Sequence, residues 1–113
     1  MMMLVKGFTY CEMISDNCLL AVYQQKIKSD RPSLIQVMIY TPDKSNLLSN
    51  ADLHLTVINK GRRKPIREIR SITPGVYEGV IELNFSGQST LEFEVLTPEF
   101  KNTMMLDQEI NEN

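Results

Sequence analysis

Thr73 to Val95 reads TPGVYEGVIELNFSGQSTLEFEV, and the alternation inside it decides the fold class. Tyr77, Gly79, Ile81, Leu83 and Phe85 share one parity, while Glu78, Glu82 and Asn84 take the other. Further on, Leu91, Phe93 and Val95 alternate with Glu92 and Glu94. An apolar side and a polar side at period two describe antiparallel strands covered on one face. Between the two runs, Ser86-Gly87-Gln88-Ser89 supplies a glycine where the chain must turn back. The stretch is therefore expected to be a hairpin.

Upstream the same pattern recurs. In Ala51–Asn59, Leu53, Leu55 and Val57 point one way and Asp52, His54 and Thr56 the other. Asn59-Lys60-Gly61 is a hairpin signal, because glycine accepts positive φ. Pro65–Ile72 reads as an edge strand blunted by proline and charge. Ser33–Thr41 is apolar on both parities, which predicts a central strand covered on both faces. Leu47 and Leu48 stand in the polar connection Pro42–Asn50, where one is expected to tuck over an open sheet end. Asn17–Gln25 is a further strand, Gly7–Ile14 a short edge strand, and Met1–Met3 a frayed end. After Val95 the pattern changes. Thr97-Pro98-Glu99 has the hydroxyl, proline and acid of a helix start, so residues 97–113 are read as a short helix or a loose tail. The expected organisation is an N-terminal segment at 1–16 that could add an edge strand, a β-sandwich at 17–96, and that tail.

The chain has 113 residues, enough for one two-layer core. Its net charge of −2 gives no bulk attraction to nucleic acid or an acidic membrane. Lys6, Glu12, Asp16, Lys26 and Lys28 interrupt every early apolar run, so no membrane span is expected. Met1–Met13 lacks the order of charge and apolar core that a signal peptide needs. A cytoplasmic protein is the reading if Met1 is the true start, and an envelope or periplasmic one if a signal sequence precedes it. Cys11 and Cys18 frame a turn at Ser15-Asp16-Asn17, which sets them diagonally across a hairpin, an awkward geometry for a disulfide. Half-buried thiols, a disulfide and a metal site all remain open for them.

Thr73-Pro74-Gly75-Val76-Tyr77 resembles the Asp-x-Gly-x-Tyr entry to a late strand of immunoglobulin-like sandwiches, with Thr73 in place of the acid. The resemblance extends over Lys28–Val95, which looks like the small bacterial modules of the FixH-like and YtkA-like type. It implies an immunoglobulin-like antiparallel β-sandwich of about seven strands. It also implies a corner in which the Tyr77 hydroxyl bonds backbone a few residues upstream, with Thr73 and Gly75 shaping the turn. The strand-C tryptophan and paired intersheet cysteines of true immunoglobulin domains are absent, as is a membrane anchor. No ligand residues match, so the resemblance carries fold and not function.

The main charge feature is Lys60, Arg62, Arg63, Lys64, Arg67 and Arg70, followed beyond residue 77 by an acidic stretch. These bases could pair with Glu78, Glu82, Glu92 and Glu94 or serve as a docking patch for an acidic partner. No aromatic residue is interleaved to stack nucleic-acid bases. His54 is the one histidine, on the outward parity, with no nucleophile and acid to complete a catalytic set. No nucleotide, metal or hydrolase motif occurs. The sequence therefore predicts a non-enzymatic protein-interaction or structural module without a cofactor. Its expected partner is another protein or its own copy through an edge strand, with no nucleic acid. The alternative is an envelope copper-handling accessory, resting on Met104, Met105, Cys11 and Cys18 and on the family resemblance.

Overall fold

In the computed structural model, which describes residues 8–112, the alternating runs become nine antiparallel strands, and no helix occurs among those residues. Gly7 and the expected fraying of Met1–Met3 lie outside the described residues. The strands are β1 (Phe8–Ile14), β2 (Leu19–Gln25), β3 (Ser33–Tyr40), β4 (Asp52–Asn59), β5 (Arg62–Ile66), β6 (Ile69–Thr73), β7 (Val76–Ile81), β8 (Gly87–Leu96) and β9 (Lys101–Ile110). They form two open sheets, one ordered β1-β2-β3-β7-β6 and the other β5-β4-β8-β9. The protein is a β-sandwich. Its shortest dimension, 21 Å, fits two sheets packed about 10 Å apart with their side chains.

The core is the set of residues that alternation turns inward. Leu20 and Val22 of β2, Ile35, Val37 and Ile39 of β3, and Tyr77 and Ile81 of β7 meet Leu53, Leu55 and Val57 of β4 and Leu91, Phe93 and Val95 of β8. Polar ties join the layers at their margins. Asn102 of β9 donates to Ser15 in the β1–β2 turn, and Gln24 of β2 donates to Gln108 of β9.

The stretch from Thr73 to Val95 is not a hairpin. β7 pairs with β3 and β6, whereas β8 pairs with β4 and β9 in the opposite sheet. Glu82–Ser86 carries the chain across the sandwich, and Leu83, 1% exposed, is buried on the way. Alternation reports which face of a strand is buried, not which strand lies beside it. Pro65–Ile72 likewise divides, its first part closing one sheet as β5 and its last part closing the other as β6.

The β4–β5 reversal is the one expected. Asn59 pairs with Arg62, and Lys60 and Gly61 take φ of 51° and 77°, the two positive values of a type I′ turn. Pro74-Gly75 makes the β6–β7 turn. Gly75 sits at φ 85°, and a Cβ there would lie 3.1 Å from both Leu47 Cβ and Leu48 O. The expected tucking of a leucine is met by Leu48, which packs against the core while Leu47 stays 40% exposed.

The terminal helix or tail is corrected to β9. The Thr97 hydroxyl does cap backbone N–H groups, those of Glu99 and Phe100, but Thr97 N–H donates to Phe100 O and closes a β-turn. A hydroxyl that caps a helix serves a turn equally well. Beyond it, Asn102, Met104, Leu106, Gln108 and Ile110 turn inward. Two polar members in that row hide its period-two pattern.

Candidate functional site

β3 was expected to be covered on both faces. Ser33, Ile35, Val37 and Ile39 are buried, but the other row, Leu34, Gln36, Met38 and Tyr40, faces outward and Leu34 is 50% exposed. Register sets this row against its neighbours. Leu34 faces Val80 and donates its N–H to the Gln25 side chain, Gln36 lies between Tyr23 and Glu78, and Met38 between Ala21 and Val76. The outer face of the five-stranded sheet is thus largely apolar, and it forms the floor of a groove of about 1050 Å³.

One wall is the segment that passes from β5 into β6, Arg67 to Arg70. It approaches the sheet closely because Gly79 has no side chain. A Cβ there would fall 2.3 Å from Ile69 Cδ1 and 2.6 Å from Glu68 O. The opposite side is aromatic, with Phe8 and Tyr23 in the lining and the Tyr10 and Tyr23 rings 4.5 Å apart. Beside them the Thr41–Leu48 turn is held by charge. Lys44 and Tyr10 both donate to the Glu12 carboxylate. Lys44, then Tyr10, hold that carboxyl below its usual range, and Glu12 raises the Lys44 ammonium. In the same turn the hydroxyls of Ser45 and Thr41 and the Ser45 N–H lower Asp43 to about 2.

The structure divides the six-residue basic cluster. Lys60 to Lys64 belong to the β4–β5 hairpin, Arg67 to the crossing between sheets, and Arg70 to β6. Arg63 pairs with Glu92, and Lys64 donates to the Glu82 carbonyl at 3.2 Å. Among the described residues, no ion pair involves Lys60, Arg62, Arg67 or Arg70. Arg67 and Arg70 line the groove, and Arg70 stands opposite Glu78 across β6–β7. So the cluster contributes two guanidinium groups to the site, Glu68 and Glu78 add two carboxylates to the same lining, and the floor is mostly apolar.

Tyr77 is buried as expected, but its hydroxyl donates to Ala51 O at the start of β4 in the facing sheet, not to nearby backbone. It is a tie between layers. Thr73 pairs with Val76 beyond a bulge that begins at Ser71. His54 lies outward on β4 with Nδ1 3.7 Å from Glu94, and Lys101 approaches the same carboxylate at 3.2 Å. Cys11 faces Val22 and Cys18 precedes Leu19, so the two lie diagonally across the hairpin, offset by four positions or about 13 Å at strand rise, too far for a disulfide. Both thiols are free, and burial raises both above the ordinary thiol value. Met104 and Met105 point to opposite faces of β9. Among the described residues, no three His, Cys, Asp or Glu side chains gather at a metal-binding distance, and no helix is long and apolar enough to cross a membrane.

Fold and groove together describe a two-sheet β-sandwich with an open, apolar outer face. Compared with models of known protein families and with curated proteins, the sequence matches none.

Proposed function

We propose that the protein is a non-enzymatic interaction module of immunoglobulin-like fold, and that its groove takes an extended apolar segment of another protein with an acidic residue beside Arg67 and Arg70. Strand order supports the immunoglobulin-like reading. β2-β3-β7-β6 follows the A-B-E-D sheet and β5-β4-β8-β9 the C′-C-F-G sheet, with β1 added outside A. In this alignment Tyr77 falls on strand E, whereas the family's corner tyrosine belongs to F. That is why its hydroxyl has a different partner. The likeness to FixH-like and YtkA-like modules rests on sequence alone.

The observation that carries the function is the apolar floor, with Arg67 and Arg70 on its rim in no ion pair among the described residues. Exposed apolar surface at a groove marks an interaction site, and the guanidinium groups can take a carboxylate of the occupant beside the groove's own Glu68 and Glu78. The test is recovery of binding proteins from the native host by the wild-type chain, with three variants run alongside. Leu34→Asp, and Arg67→Glu combined with Arg70→Glu, are expected to lose what the wild type captures, while Glu94→Gln on the far sheet keeps it. No capture by wild type, or equal capture by all variants, rejects the reading.

A further inference from the structure

We infer that β9 is a self-complementary edge through which two copies of this chain join their four-stranded sheets into one continuous sheet about a two-fold axis at Met105. This interface does not involve the groove, so it stands or falls separately from the function proposed above.

Among the described residues β9 pairs with β8 alone over its ten residues, and it contains no proline, glycine or bulge. Of the other edges, β1 is regular but shorter at seven residues, and β5 and β6 differ. Each is five residues long, β5 holds Pro65 and β6 is bulged. Proline, brevity and bulges protect an edge from pairing, and β9 has none of them. Alternate N–H and C=O groups along β9 therefore point away from β8, and no strand among the described residues receives them. The ends of the free edge are fixed. The Thr97–Phe100 turn closes just before Lys101, and beyond Ile110 the Asn111 backbone is bound by Ile27 and Ser29.

The side chains select the register. With Met105 on the axis, it faces its own copy, Thr103 faces the partner's Asp107, and Lys101 faces the partner's Glu109. Inside, Met104 meets the partner's Leu106, and Asn102 meets the partner's Gln108. Met105 is 58% exposed, an unusual surface for a strand whose outward neighbours are polar. A shift of one residue would set the outward row against the inward one. Moving the axis to Leu106 places Met105 against the partner's Asp107. Moving it to Met104 keeps a charge pair, Lys101 with the partner's Asp107, but sets Met105 against the partner's Thr103 and leaves Gln108, Glu109 and Ile110 outside the ladder. The Met105 axis pairs nearly the whole strand, with opposite charges at both ends and apolar groups on both faces at the centre. Lys101 already approaches Glu94, so in the pair it lies between two carboxylates.

Sedimentation equilibrium on the full chain tests this, with circular dichroism to verify folding of each variant. The wild type is expected to dimerise. Lys101→Glu and Glu109→Lys, each counted twice by symmetry, should weaken the dimer about tenfold, and the double variant should restore it. Met105→Lys, which places two like charges on the axis, should leave a folded monomer. A wild type that stays monomeric at all concentrations overturns the inference. So does a dimer unaffected by these changes, or a double variant no tighter than the single ones.

Discussion

On the outside of the four-stranded sheet, His54, Glu94 and Lys101 stand together across three strands, and Arg63 reaches Glu92 from the edge. The equivalent surface of the five-stranded sheet carries Leu34, Met38, Tyr40, Tyr23 and Val80. Both sheets are alike inside, where each gives aliphatic side chains to one core. They differ where folding makes no demand. A sandwich needs one apolar face per sheet, so a second apolar face has to be explained by something other than the fold. Cross-strand charge pairs on the other sheet satisfy solvent and give little stability, about 0.2–1 kcal/mol each.

The sharpest way to break the comparison is to uncouple the two layers. Tyr77→Ala removes both a buried ring and the bond to Ala51, and should cost about 3–5 kcal/mol in urea melts. Tyr77→Phe removes the bond alone and should cost about 1 kcal/mol, rising towards 3 if the Ala51 carbonyl finds no other donor. A Tyr77→Phe protein that melts with wild type would show the tie contributes nothing. Next is Gly79→Ala, whose methyl group must displace Ile69 and the Glu68 carbonyl. Overpacking of this kind costs about 1–3 kcal/mol, and it should also open the groove wall. An unchanged melting midpoint would mean that β6 yields freely.

The two outer faces then separate stability from binding. Glu92→Gln on the charged face should cost about 0.2–1 kcal/mol, more at low salt than at high. On the apolar face, Leu34→Thr combined with Met38→Thr should change stability by about 0.5 kcal/mol or less per site. The same pair should sharply reduce the fluorescence enhancement of an apolar dye such as anilinonaphthalene sulfonate. Undiminished dye fluorescence would place the apolar surface elsewhere.

The smallest effect concerns pH. Glu12 and Asp43 have folded-state values below their ordinary ones, so the folded protein binds fewer protons than the unfolded chain as pH falls. Their support of the Thr41–Leu48 turn is complete above the ordinary carboxylate range, at about pH 4, and is lost as pH drops towards about 2. The protection factor of the Ser45 amide, its exchange rate divided into the intrinsic rate at each pH, should hold at about pH 4 and fall below it. A protection factor already lost above that range would contradict the bonds to Asp43.

Strand positions were legible because an amphipathic strand states its buried face residue by residue. β2, β3, β4, β7 and β8 all fall where alternation put them. Partners were less legible. Nothing local to Glu82–Ser86 says that the chain is changing sheets rather than turning, although a core leucine in that connection is a clue. β9 was lost because Asn102 and Gln108 hold inward positions through bonds to residues far away in the chain, which no window of sequence contains. The groove was half visible in SLIQVMIYT, whose second apolar row was real while the cover assumed for it was not.

The crossing at Glu82–Ser86 also governs how the chain reaches this state. β1-β2-β3, β4-β5, β6-β7 and β8-β9 each assemble from neighbours in sequence, but the ladders β3–β7 and β4–β8 must each close over several intervening strands. Such distant pairing makes folding slow, in the range of about milliseconds to seconds. During synthesis at about 5–20 residues per second, β8 remains an unshielded edge until Lys101–Ile110 has emerged to cover it. Late completion of that one hairpin is the interval in which the nascent chain is most exposed to wrong pairing.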